Sequence, residues 1–273
     1  MEEITSPQNP RIRRIIQLQS KARVRKEEGS FITEGVRIFK DTPDEALRAV
    51  YVTKERLPEL QDLIYGKTRS AGAPVCVVPQ ALMEKISDTK TPQGILCEVR
   101  MPSCTREDLL REEAPLLLML EAIQDPGNLG TMVRTAEAAG AAGIILSREC
   151  ADLYSAKTVR ATMSAIFRMP ILTDADLREE IRALRENRVR IYAACLDDRA
   201  RPYDRFDYTK DSGSGSAFLV GNEGNGLREE TIRLSDETVY LPMAGQIESL
   251  NAAVAASILL YEAARQRHFS GRE

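Results

Sequence analysis

Short apolar runs alternate with stretches of helical spacing along most of this chain. Residues 10–28 place Ile12, Ile15, Ile16 and Leu18 on one stripe, with Pro10 suited to a first turn and arginines and lysines crowding the other faces, which predicts one basic helix. A strand at 30–35 leading into a helix at 35–40 follows, then strands at 50–53, 75–78 and 95–99 with helical segments at 55–65 and 79–86. This is a small α/β unit of ordinary domain size. The charged, proline-containing stretch 100–114 marks a boundary, giving one domain over 1–105 and a second over 106–273.

From 115 the alternation is regular. Strands are expected at 116–121, 143–147, 189–195, 217–220 and 238–241, and helices at 128–139, 155–166, 175–186, 227–234 and 250–267. The strands are continuous apolar runs, the pattern of a mostly parallel sheet covered on both faces. Asp211 to Ser216, built from Ser, Gly and one Asp, reads as a flexible loop.

Composition narrows the class. With 43% hydrophobic and 29% charged residues the chain can bury a core, which excludes wholesale disorder. It has no Trp and only 5% aromatic residues, which argues against an aromatic-stacking binding module. Cys76, Cys97, Cys104, Cys150 and Cys195 show no CxxC spacing, so neither a zinc site nor a redox pair is indicated, and reduced thiols of a cytoplasmic protein are expected. The N-terminal residues lack the apolar segment of a secretion signal, and no apolar run is long enough for a bilayer. The net charge of −3 is unevenly spread: residues 1–40 hold nine Lys or Arg against five Glu, leaving a −7 body behind a +4 arm. Such an arm suits a polyanion, although a solvated amphipathic helix would have the same composition.

Three phrases hold the candidate chemistry. Asp125-Pro126-Gly127-Asn128 turns from a buried strand into an Ala-rich helix carrying one long cation, Arg134; Asn128 is a plausible N-cap. An Arg there can clamp a phosphate, or simply pair with Glu137 one turn on. Gly221 to Gly226 surrounds Glu223 with three glycines, leaving backbone bare enough for a ligand, or for nothing more than a tight turn. Its GxxGxG spacing, with no following ribose-binding carboxylate, argues against a dinucleotide-dependent oxidoreductase. Leu241-Pro242-Met243 ends a strand, and Ser249-Leu250-Asn251 opens the last helix, with Ser249 as its expected N-cap and Asn251 in its first turn. The single histidine, His268, lies in the tail, which speaks against a Ser–His triad.

In this order, DPGNLGTMVRTAEAAG, FLVGNEGNGL and LPMAGQIESLNAAVAASILLYEAAR resemble the three motifs of the SpoU-type (TrmH-like) RNA ribose 2′-O-methyltransferases of the SPOUT superfamily. The similarity spans about 115–267, and residues 5–40 resemble the start of the ribosomal-protein-like substrate-binding domain of many members. One departure is Ala161-Thr162-Met163-Ser164, where members often have Ser-x-Gly-Ala.

The resemblance implies an α/β protein with a C-terminal trefoil knot, S-adenosylmethionine as cofactor and no metal. It implies a homodimer joined through the knotted domain and a structured rRNA target, with tRNA or a non-catalytic RNA-binding role as alternatives. By motif match Leu219, Gly221, Gly226, Leu241, Met243 and Leu250 would hold the cofactor, and Asn128, Arg134, Glu223, Ser249 and Asn251 would form the catalytic constellation. RNA contacts are expected from Arg11, Arg13, Arg14, Lys21, Arg23 and Arg25 of the basic helix, and from Lys157, Arg160 and Arg168.

Overall fold

The computed structural model describes residues 1–209 and 214–269; Asp211 to Gly213 of the expected flexible loop lie outside the described residues, as does the side chain of His268. The chain divides into two compact units. One comprises Met1–Pro102 with Tyr154–Phe167, the other Ser103–Leu153 with Arg168–Glu273.

The first unit runs β1 (Glu2–Glu3), α1 (Pro10–Ser20), α2 (Ala22–Glu28), β2 (Ser30–Glu34), α3 (Val36–Asp41), β3 (Leu47–Thr53), α4 (Leu57–Ala71), β4 (Val75–Val78), α5 (Gln80–Ile86) and β5 (Ile95–Arg100). Its sheet has the order β1-β4-β3-β5-β2, with β5 antiparallel to both neighbours and the rest parallel. The basic stretch is two helices, not one. Lys21 is extended, and the guanidinium of Arg25 donates to the carbonyls of Leu18 and, at 2.9 Å, Gln19, which closes the end of α1. Ile12, Ile15 and Leu18 are buried as the stripe predicts, whereas Ile16 is exposed.

The second unit begins with α6 (Arg106–Leu109), β6 (Leu116–Leu120), α7 (Pro126–Ala138) and β7 (Gly143–Ser147). The chain then returns to the first unit through α8 (Ala156–Ala161) and a 3-10 turn at Ala165–Phe167. The aromatic rings of Tyr154 and Phe167 pack on Phe31 of β2, with centroids 4.9 and 6.2 Å away. Met163 and Ser164 both have positive φ, 50° and 72°. That left-handed backbone is one glycine adopts more readily than Met or Ser. The second unit resumes with β8 (Ile171–Ala175), α9 (Leu177–Glu186), β9 (Val189–Ala194), β10 (Arg201–Pro202), β11 (Gly215–Val220), α10 (Glu229–Leu234), β12 (Glu237–Tyr240) and α11 (Ala252–Ala264).

These strands form one parallel sheet of order β10-β12-β9-β11-β6-β7-β8. The short edge strands β8 and β10 escape the apolar-run criterion because their sequences, ILTDA and RP, are too polar or too brief. Leu117, Met119, Ile191, Ala217 and Leu219 form the core under α9, whose Leu177, Ile181 and Leu184 repeat at helical spacing. Because β6, β11, β9 and β12 all run parallel, the loops leaving β6, β11 and β12 emerge at the same carboxyl edge of the sheet, where parallel sheets hold ligands. The insertion of β11 between β6 and β9 sets the first two side by side. Among the described residues no helix is long and apolar enough to cross a membrane.

Candidate active site

The loop after β6 is built for a bend. Ala122 has φ 54° and its N–H donates to Ser147 Oγ at 3.0 Å. Asp125, not Asn128, caps α7: its Oδ1 accepts from Asn128 N at 2.9 Å, and Pro126 occupies the first turn. Asn128 therefore lies inside the helix with its amide free to reach across the loops.

It reaches Glu223. Asn128 Nδ2 donates to Glu223 Oε1 at 2.9 Å, and the backbone N–H groups of Gln124 and Asp125 donate to the same carboxylate at 3.1 Å each. Partial burial alone would raise the Glu223 pKa; the Asn128 amide and these backbone donors outweigh it and hold the carboxyl below its usual range. Asn222 completes the brace by donating to Ala122 O at 2.9 Å and accepting from the N–H groups of Gly224 and Asn225 at 2.9 Å. At the far end of the loop the buried carboxylate of Glu121 accepts from Arg228 N at 2.7 Å and from Thr231 Oγ1 at 2.6 Å. Gly221 is obligatory for close approach, since a Cβ there would lie 2.3 Å from Gly226 C and 2.4 Å from Leu227 N.

Asn251 joins the third loop to the first. Its Nδ2 donates to Asn128 Oδ1 at 3.1 Å, while its Oδ1 accepts from Ala253 N and Val254 N. Asn251 is thus the N-cap of α11, and Ser249 is an exposed residue of the preceding loop, the reverse of the expected assignment. The sequence conceals this because Ser and Asn cap equally well, and only the position of the first helical turn separates them.

A cleft of roughly 260 Å³ opens between the ends of β9, β11 and β12 and the start of α11. Gly221, Gly226, Leu241, Met243 and Leu250 of the expected cofactor-binding set line it, together with Glu223 and Ser249 of the expected catalytic set. Leu219 does not; it is fully buried within β11 and belongs to the sheet core. Cys195, Leu196, Tyr240 and Glu248 also line the cleft and were not expected there: Glu248 lies within the third phrase but was not singled out, and Cys195, Leu196 and Tyr240 come to the cleft only because β9 lies between β11 and β12. Burial pushes the Cys195 thiol up to about 11, with Asp197 adding to the effect. The apolar walls and bare glycine backbone fit a flat heterocycle with polar edges, and the carboxylates of Glu223 and Glu248 suit a cationic group.

Arg134 is exposed on α7 and makes no hydrogen bond or ion pair among the described residues. Glu137, its alternative partner, instead binds Arg168 at 2.7 Å. The expected RNA-contact residues are placed unevenly. Arg11 pairs with Glu2 at 3.2 Å and donates to Cys76 Sγ, Arg14 spans Glu98 and Glu28 at 2.8 and 2.6 Å, and Arg23 pairs with Glu27 at 2.6 Å. Arg25 is 4% exposed and serves the end of α1, so it does not face solvent. Arg13 and Lys21 are exposed and without a partner among the described residues. Lys157 is exposed, and Arg160 pairs with Asp88 at 2.5 Å. Among the described residues no group of His, Cys, Asp or Glu is arranged to hold a metal.

The family model of the SpoU rRNA methylase family matches residues 115–261, and that of an MRM3-like substrate binding domain matches residues 9–97. The chain is 32% identical over 261 residues, 96% of its own length and 98% of the relative's, to the 23S rRNA (guanosine(2553)-2′-O)-methyltransferase RlmP of Bacillus subtilis. An S-adenosylmethionine-bound rRNA methyltransferase from Sinorhizobium meliloti superposes with TM-score 0.87 at 33% identity, covering 97% of each chain. The SpoU methyltransferase AviRb of Streptomyces viridochromogenes, solved in complex with the same cofactor, superposes with TM-score 0.85 at 27% identity, covering 97% of this chain and all of that one. The parallel-sheet fold is that of the SPOUT methyltransferases. Within that class, the chain belongs to the SpoU rRNA methylase family.

Proposed function

We propose that this protein methylates a ribose 2′-oxygen of rRNA, using S-adenosylmethionine bound in the cleft at the ends of β9, β11 and β12. The observation that carries the reading is the convergence of Asn128, Glu223 and Asn251 from three separate loops onto one hydrogen-bonded chain beside that cleft. Relatives named as 23S rRNA 2′-O-methyltransferases support the choice of rRNA, and a cytoplasmic location is part of the same proposal.

In this reading Gly221, Gly226, Leu241, Met243 and Leu250 hold the cofactor through backbone groups and apolar contact. S-adenosylmethionine supplies an electrophilic methyl group on a sulfonium. The protein's part is to place the 2′-oxygen in line and to ease the loss of its proton. Arg134 acts as a fixed cation that positions an RNA phosphate and stabilises charge developing on the oxygen. Glu223 holds Asn128 and the first loop in place, and Asn251 carries the same register into α11. Ser249 sits on the rim as a further polar group for substrate.

The C-terminal segment is proposed to thread as the trefoil knot of this fold, and the molecule to act as a homodimer. Val254, Ile258 and Tyr261 form a stripe on α11, and Val254 and Tyr261 are nearly half exposed, an apolar face suited to a second copy.

The test is transfer of labelled methyl from S-adenosylmethionine to rRNA of cells lacking this protein, followed by nuclease digestion and mass spectrometry. A 2′-O-methylated nucleoside is expected. Transfer to tRNA alone would keep the chemistry and change the substrate, and cofactor binding without transfer to any RNA would favour a non-catalytic RNA-binding role.

A further inference from the structure

We propose that the first unit grips the RNA backbone through the loop 87–94 and the start of α3, with Arg37 and Lys90 as the phosphate-binding cations, and not chiefly through the basic helices α1 and α2. The inference rests on the reading that the chain acts on RNA.

The helices lose their claim once their partners are counted. Arg11, Arg14 and Arg23 are paired with carboxylates, and Arg25 is buried on backbone carbonyls. Arg25 is thus taken up inside the unit and Arg11, Arg14 and Arg23 are offset by adjacent carboxylates, leaving Arg13 and Lys21 as the expected helix contacts without a partner among the described residues.

The loop is the opposite case. It is fastened from below by Glu34 at the end of β2, whose carboxylate accepts from Ser87 Oγ and Thr89 Oγ1 at 2.6 Å each and from Asp88 N at 3.2 Å. Gln93 fastens its other end: its Oε1 accepts from Val36 N at 3.0 Å, and its backbone oxygen accepts from Arg56 Nε at 3.2 Å. Gly35 and Gly94, at φ 113° and 76°, let the chain pass closely there. A rigid loop loses little conformational entropy when a ligand binds.

Its charge is one-sided. Asp88 is neutralised by Arg160, and the lone pairs of Glu34 are occupied by the loop's own donors. Lys90 and Arg37 are exposed and have no partner among the described residues, and Arg37 follows directly on the residue that Gln93 holds. Exposed Thr91 and Gln93 add hydrogen-bonding groups. A point-charge Lys on the fastened loop and a forked Arg on the adjoining first turn of α3 suit phosphodiesters, and both lie within the stretch matched by the substrate-binding domain model.

The test compares the full-length protein with Arg37→Ala/Lys90→Ala and with Arg13→Ala/Lys21→Ala, measuring binding of an rRNA fragment across a salt series. The loop pair should lose about tenfold in affinity, and its log–log salt slope should become shallower by about one to two. The helix pair should change less, and S-adenosylmethionine binding should be unchanged in both. Unaltered affinity and slope in the loop pair, or a larger loss in the helix pair, overturns the proposal. Binding is read without turnover, so absence of methyl transfer in the wild type would count against the enzymatic reading while leaving this one to be decided by the salt series.

Discussion

Asn128 Nδ2 donates to Glu223 Oε1 at 2.9 Å although the two residues are 95 apart in sequence. Glu223→Ala removes the acceptor for three donors at once and should loosen both loops, raising the dissociation constant for S-adenosylmethionine by about tenfold or more, since charge-assisted hydrogen bonds are individually worth more than a tenfold factor. Calorimetry of cofactor binding checks this. Because the folded-state pKa of Glu223 is depressed, the brace is complete above the usual carboxylate pKa and is lost as pH falls through the lower folded value. Binding should therefore be insensitive to this carboxylate near neutral pH and weaken only on acidification.

Asn251 has two duties that two substitutions can separate. Asn251→Ala loses the cap of α11 and the bond to Asn128, and should cost about 1 kcal/mol of stability together with activity. Asn251→Asp keeps an acceptor for Ala253 N and Val254 N but cannot donate to Asn128. Thermal melts should show Asp near wild type, while methyl transfer stays impaired in both; full activity in the Asp variant would reduce Asn251 to a cap.

Arg134→Ala should lower kcat by about a hundredfold to a thousandfold, the usual effect of removing a group that stabilises transition-state charge. Cofactor affinity should stay within about twofold. Equal losses of both, measured by single-turnover transfer and calorimetry, would mean that Arg134 supports the cleft and not the reaction.

Gly221→Ala would drive a Cβ into the backbone of Gly226 and Leu227, whereas at Gly224 the nearest atom to a Cβ is Asn222 Oδ1 at an ordinary 3.6 Å. Cofactor binding should collapse in the first variant and stay near wild type in Gly224→Ala. A normal dissociation constant for Gly221→Ala would show that the loop can open without penalty.

Burial, with Asp197 adding to it, pushes the Cys195 thiol up to about 11, so its thiolate is scarce at neutral pH. Alkylation at pH 7.5, followed peptide by peptide by mass spectrometry, should be on the order of a hundredfold slower than for an ordinary exposed thiol. It should accelerate as pH rises toward 11 and be slowed further by S-adenosylmethionine. Lack of cofactor protection would place the bound ligand away from Cys195.

Local pattern determined much of this protein. The apolar runs at Leu116–Leu120, Gly143–Ser147 and Val189–Ala194 have little choice but to be buried parallel strands, and the glycine, proline and asparagine phrases after β6, β11 and β12 can only be turns. The three loops and their order were legible on those grounds together with the family resemblance, and the structure brings Asn128, Glu223 and Asn251 from them into one hydrogen-bonded chain. Whatever depends on strand order or on partners was not. That β12 lies beside β9, bringing Tyr240 and Cys195 to the cleft, follows from how the crossovers pack and from no local signal. The break at Lys21 exists because Arg25 folds back on the carbonyls of α1, and the return of Tyr154–Phe167 to the first unit is made by rings meeting Phe31 more than a hundred residues away in sequence. Charge shows the limit best. The sequence counts the cations of the N-terminal arm, but a cation's availability to RNA depends on which carboxylates stand next to it, and only the tertiary structure decides that.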